Sequence, residues 1–305
     1  MKPEQTLQLW LPALKQFEPD HPLRRWWSRG DRLGQGSIGY MAGLAAYFSG
    51  AGADLPAAAI TREFVAGDAA DAVWLAADPA WVQPDMTGVR LLACGQLQLQ
   101  EDEADALADT LRPLFDELGM RLRVSTPDRW HLQLPPGLSL PRFAPPEQAL
   151  GEDLAQHLPA GEEGRRWRVL LNDIQISLHQ HPLNAQRQAR GLAPVNSLWL
   201  WGGGALPSGV QSKLRQVVSD DLLLRALAGY TGITGRAREP EVVAAAAAGC
   251  LIDLQDLPAS EIASTWWPAL QSLLLRHRLV LHFASGDRCL HKPWHRWRFW
   301  RGAGH

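Results

Sequence analysis

The stretch HPLNAQRQARGLAPVNSLWLWGGG, residues 181–204, passes from helix to turn to strand to a glycine triplet, each change marked by a residue suited to it. Upstream of it, Trp167, Leu170, Leu171, Ile174 and Leu178 recur on one face at helical spacing. Pro182 disfavours helical geometry at His181, so a helix over about 165–181 should stop there. Asn184 suits the N-cap of a short helix over 185–190, Gly191 suits the left-handed position after it, and Pro194 keeps the helix from resuming. A strand over 197–201 follows. Gly202, Gly203 and Gly204 then let the backbone turn sharply and approach a ligand with no Cβ in the way. Asn184, Arg187 and Asn196 are expected to gather at this turn, forming with the three glycines a ligand-binding set.

Downstream, a helix over 219–229, a strand over 250–254, a helix over 260–275 and a strand over 279–284 alternate with one another. That is the pattern of parallel strands joined by crossover helices. Upstream, the reading is a strand over 6–12, a Gly-rich loop over 30–39, an Ala-rich helix over 41–48 and strands over 72–76 and 89–94. A helix over 101–118 and a hairpin of 121–124 with 130–134 complete this half. Five prolines within residues 135–146 make regular structure improbable there and mark a linker. The expected fold class is therefore α/β: a mixed region over 1–140, and a mostly parallel sheet with crossover helices over 147–305.

With 305 residues, 46% of them hydrophobic, the chain can bury one large core or two smaller ones. A net charge of −2 supplies no broad cationic surface, which argues against nucleic acid or an acidic membrane as a partner. The absence of a long apolar run points to a cytoplasmic protein. Cys94, Cys250 and Cys289 are far apart, so neither a disulfide framework nor a cysteine-rich zinc site is suggested. Fourteen tryptophans are many for this length and are expected chiefly in core and edge packing.

His181, Pro182, Asn184, Arg187, Gly191, Pro194, Asn196, Gly202 and Gly204 resemble a segment of the archaeal-type cofactor-independent phosphoglycerate mutases. Over nearly its whole length the chain also resembles the RpfE-type regulatory family of proteobacteria. That likeness rests on WLAADPAWVQPDMTGVRLLACG (74–95), DRWHLQLP (128–135), RRWRVLLNDIQISLHQHPLN (165–184), PVNSLWLWGGG (194–204) and WRFWR (297–301). The resemblance implies a reduced phosphatase-like core in the second half of the chain. It also implies that Asp287 and His291, spaced Asp-x3-His after an apolar strand, correspond to metal ligands of the mutases, with manganese or zinc as the ion. A hairpin of 279–284 with 289–292, in which Asp287 only stabilises the turn, is the competing account of the same residues.

The mutases use a hydroxyl nucleophile near an N-terminal Asp after an apolar strand, and further ligands beyond Asp-x3-His. Asp31 and Ser37 have the right chemistry, but no apolar strand precedes them. The expectation is accordingly a non-catalytic regulatory or accessory protein with no cofactor, recognising a small phosphorylated metabolite. The alternatives are a metal-dependent phosphoglycerate mutase or phosphatase, and a protein-interaction scaffold that uses the Trp-rich edge over 292–301, itself expected to be an edge strand with an inward aromatic face.

Overall fold

The computed structural model describes residues 6–52, 54–86 and 88–301. It is a mixed α/β fold in two compact units, one made of Met1–Gly52 with Gly209–His305 and the other of Ala53–Ser208. The expected boundary in the proline-rich stretch is therefore corrected. Residues 135–145 are irregular but belong to the second unit, where Phe143 packs edge-on against Trp167 at 5.2 Å.

In the first unit five strands run parallel in the order Thr234–Arg236, Gln216–Val218, Cys250–Asp253, Leu7–Leu11 and Leu279–Phe283. Arg288–His291 and then Asp31–Arg32 extend this sheet antiparallel. The parallel sheet expected of the C-terminal half thus takes its central strand from near the N-terminus. Leu7–Leu11 is buried at every position, as a strand covered on both faces must be. Alternation sends Leu7, Leu9 and Leu11 into a core with Ile252, Leu281, Phe283 and the helical residues Leu270, Leu273 and Leu274. The same alternation leaves Gln8 and Trp10 on the opposite face.

The expected hairpin is the outcome at the end of this sheet. Leu279–Phe283 pairs antiparallel with Arg288–His291, Leu279 opposite His291 and His282 opposite Arg288. In the turn between them, Ser285 Oγ donates to Asp287 Oδ2 at 2.7 Å, and Phe283 N donates to the Asp287 carbonyl at 2.9 Å.

The second unit is built on a long strand, Val73–Pro84, which pairs antiparallel along one edge with Ser197–Gly204. Arg129–Leu134 and Val89–Cys94 share its other edge, and Arg121–Thr126 continues beyond. The strand expected over 197–201 is therefore present but belongs to an antiparallel sheet. The helices Ala57–Ala66, Glu101–Glu117 and Gly161–His179 pack on this unit's strands. The last buries Trp167, Leu170, Leu171, Ile174 and Leu178, the stripe read from the sequence.

Candidate functional site

In open parallel sheets ligands favour the carboxyl ends of the strands. In the first unit a cleft of about 720 Å³ instead opens over the sheet face, lined by Gln8, Gln35, Ser37, Tyr47, His282 and Arg288. Gln8 and His282 reach one wall because they alternate out of the core on adjacent strands. Gly36 lies on the loop opposite, where a Cβ would collide with Cδ of Arg288. The missing side chain lets the arginine lie against the loop. Among the described residues no carboxylate pairs with Arg288, so its guanidinium is available to an anion.

Tyr47 and His282 are coupled. The Tyr47 hydroxyl is 2.9 Å from His282 Nδ1, and His282 Nε2 is 3.4 Å from the Ser37 carbonyl. Burial raises the Tyr47 pKa, keeping the phenol protonated. Burial also lowers the His282 pKa, and the nearby Arg288 charge acts in the same direction. The arrangement is satisfied by Tyr47 donating to a neutral His282, whose Nε2–H faces Ser37. Beside this pair, Trp10 is stacked between Tyr40 and His282, with ring centroids 5.6 and 6.0 Å away.

At the carboxyl end of Cys250–Asp253, Asp253 is fully buried. It accepts from Ser219 Oγ at 2.7 Å and from Gln255 N at 3.2 Å. Burial, reinforced by the charges of Asp221 and Asp256, pushes its pKa up to about 7. Asp221 caps the helix Leu222–Tyr230 and accepts from the Tyr40 hydroxyl, while Arg238 bridges Asp256 and Asp220. These carboxylates are thus held largely by the chain itself. Among the described residues no three His, Cys, Asp or Glu side chains converge as a metal-binding group.

The residues singled out from the sequence are placed differently. Asn184 does not cap the helix, which starts at Pro182 with His181 as its N-cap, the His181 ring accepting from Leu183 N. Asn184 instead donates to the carbonyls of Leu178 and Val195 at 2.8 and 2.9 Å and accepts from Val195 N at 2.8 Å. Arg187 is fully buried, paired with Glu103 at 2.7 Å and donating to the carbonyls of Ala193 and Leu97. Asn196 exchanges two hydrogen bonds with the backbone of Val82. Asn184 and Arg187 thus converge on the connection before the strand, where their polar groups serve backbone.

Gly202, Gly203 and Gly204 lie at the far end of that strand. Ser197 pairs with Ala80, whereas Gly204 pairs with Trp74. Gly202 has φ +61°, and a Cβ on it would stand 2.8 Å from Cβ of Ala57. Gly202 and Gly204 admit the start of the helix Ala57–Ala66 against the strand, while Gly203 makes room for Leu140 and Leu75, so the expected gathering of all six residues at the glycine turn is corrected. Asp287 and His291 are also separated. Asp287 sits in the hairpin turn, while His291 is buried at the other end of its strand, with Nε2 3.1 Å from the Leu274 carbonyl and its ring edge-on to Trp26. Nor does an Asp follow the apolar strand Leu7–Leu11, which runs into Pro12 and Ala13. These positions do not fit a shared metal.

Sequence reading passed over Gln8, Tyr47 and Arg288. The alternation in LQLWL was a signal for Gln8, but its meaning depends on the C-terminal strands that flank it.

No family model matches the chain. In segments, it is similar to curated phosphoglycerate mutases. It is 41% identical over 63 residues to a probable 2,3-bisphosphoglycerate-independent phosphoglycerate mutase of Geobacter sulfurreducens, a match covering 21% of this chain and 16% of that protein. It is 33% identical over 94 residues to the 2,3-bisphosphoglycerate-independent mutase of Methanosarcina barkeri, covering 29% and 24% of the two chains. To that of Methanosarcina mazei it is 28% identical over 141 residues, covering 44% and 36%. The matches therefore span about a third or less of these relatives' lengths. Among solved structures, a cofactor-independent phosphoglycerate mutase from Thermoplasma acidophilum aligns over 95% of this chain and 89% of its own, with TM-score 0.40 and 14% identity.

None of these comparisons involves an RpfE-type regulator, and that label is set aside. The expectation of no cofactor is also corrected: the relatives are phosphoglycerate mutases of the 2,3-bisphosphoglycerate-independent kind, for which the resemblance implies metal ligands.

Proposed function

We propose that this chain has a phosphoglycerate-mutase-like function and handles a small phosphorylated hydroxy acid in the cleft beside Arg288. The segmental similarity to 2,3-bisphosphoglycerate-independent phosphoglycerate mutases carries this reading. The chemistry of the cleft supports it. Arg288 offers a planar cation to a phosphate or carboxylate, and Gln8 and Gln35 supply neutral amides for hydroxyl groups. His282 is placed to donate a hydrogen bond from Nε2–H to a substrate oxygen, since that N–H is only loosely engaged, 3.4 Å from the Ser37 carbonyl. Tyr47 fixes the ring from the other side.

The test is calorimetric titration with 3-phosphoglycerate, run beside a coupled mutase assay with added manganese. Saturable binding that Arg288→Ala weakens by about tenfold or more is expected, since a charge-assisted contact is worth roughly 1.5–3 kcal/mol. Turnover should fall with it while the melting temperature holds. Wild-type protein that neither binds nor converts 3-phosphoglycerate would overturn the proposal.

A further inference from the structure

Large aromatic side chains at a protein surface normally turn inward, yet four of them within residues 294–300 do not. Trp294, Trp297, Phe299 and Trp300 are 55, 59, 69 and 73% exposed. The segment is not the edge strand expected from its sequence. Pro293, which lacks an N–H, opens a 3-10 helix, Pro293–Trp297. Nor is the segment loosely attached. Asp31 pairs with Arg298 at 2.5 Å and Lys292 at 3.3 Å, Arg29 donates to the Arg296 carbonyl at 2.9 Å, and Arg301 donates to the Gly30 carbonyl at 3.0 Å. A segment held by this many bonds, with its rings outward, is a presented surface.

Its charge is predominantly positive, even with Asp31 counted against Lys292, Arg298 and Arg301. Residues 292–301 carry Lys292, Arg296, Arg298 and Arg301 and no acid, and exposed Arg25 lies on the adjacent helix Pro22–Arg29, which also has none. The chain's net charge of −2 is an average that conceals this local cationic patch. From the combination of outward indoles and a cationic rim we infer that this surface docks peripherally on an anionic phospholipid layer. Tryptophan rings settle at the level of lipid headgroups, and each nearby cation is drawn to the negative surface.

The ring geometry favours lipid over a stacked nucleic-acid strand. Lys292 already lies over Trp294 at 5.4 Å, Arg296 lies over Trp297 at 5.1 Å, and Phe299 and Trp300 pack edge to face on each other. Base stacking draws on free ring faces. Insertion into a headgroup layer needs only the outward rims, and the paired cations then stand level with lipid phosphates.

The experiment is co-sedimentation of the full chain with phosphatidylcholine vesicles, with and without 30 mol% phosphatidylglycerol (roughly the anionic content that gives a strong surface potential). Binding to the anionic vesicles is expected, reduced about tenfold by Arg296→Glu and by the pair Trp297→Ser with Trp300→Ser, and weakened by salt. These side chains are exposed, so the variants should keep the wild-type melting temperature, which is measured alongside. Quenching of tryptophan emission by brominated lipid, lost in the double variant, supplies a second readout. Equal sedimentation with neutral and anionic vesicles, or undiminished binding by the variants, overturns the inference. So does tight binding of a single-stranded oligonucleotide that the same substitutions abolish while vesicle binding is absent.

Discussion

The Tyr47 hydroxyl lies 2.9 Å from Nδ1 of His282, joining the helix–loop segment after the first strand to the strand two hundred residues on that forms the cleft wall. Both groups are buried, so the bond has no ready substitute in water. Tyr47→Phe keeps the ring's packing against Trp10 and removes only the hydroxyl. We expect a loss of about 1–3 kcal/mol, the range for a buried acceptor left without a donor. Chemical denaturation of the two proteins measures it, and matching midpoints would show that the bond does not stabilise the fold.

Asp253 gives the stability a distinctive pH dependence. Its pKa is about 7 in the folded protein, above the usual carboxylate value of 3.8. The folded state therefore holds this proton more tightly than the unfolded state, and the group's contribution declines as pH rises from about 4 to about 7. Asp253→Asn keeps an oxygen to accept from Gln255 N, turns an amide N–H toward Ser219 Oγ in place of the second oxygen, and cannot ionise. The variant should be more stable than the wild type at pH 8, by roughly 1–3 kcal/mol, with the difference narrowing toward pH 5. Thermal melts across that interval are the measurement. A variant less stable at pH 8 would mean that the charged carboxylate is itself stabilising.

The pair of Arg187 and Glu103 makes a different prediction. Arg187 has no solvent exposure, and Glu103 is the carboxylate that neutralises it while also pairing with Arg190. Burial works against the charge on Glu103, but the hydrogen bonds and charges of these arginines hold its pKa below the usual glutamate value. Glu103→Ala strands a buried cation and should cost about 3–5 kcal/mol. Replacing both residues by apolar side chains should cost less than the single change. A double-mutant cycle read by denaturation distinguishes these outcomes, and a single-variant loss below about 1 kcal/mol would show that solvent reaches the arginine.

Local pattern carried much of this molecule. The amphipathic stripe of Trp167 to Leu178, the helix Glu101–Glu117 and the hairpin around Asp287 are each written in spacing and turn chemistry over a few residues. What was illegible was pairing at a distance. Nothing within SLWLWGGG says that it lies antiparallel to Val73–Pro84, and nothing within LQLWL says that Ile252 and Leu281 will flank Leu9. Asn184 and Arg187 stood out because they are polar and regularly spaced, and that prominence reflects service to backbone. Arg288 drew no notice because a cation beside a turn is ordinary until Gly36 and His282 are brought against it.

The interrupted first unit has a consequence for synthesis. Leu7–Leu11 emerges from the ribosome early, yet both strands that flank it, Cys250–Asp253 and Leu279–Phe283, are translated after the whole of Ala53–Ser208. The intervening unit holds all its own partners and can fold while its host still waits. During that interval a strand with four apolar residues of five travels with both edges open, the condition in which chains pair with the wrong neighbour. The nascent chain's dependence on chaperones should therefore peak after residue 208 emerges and fall once the strand ending at Phe283 has closed the sheet.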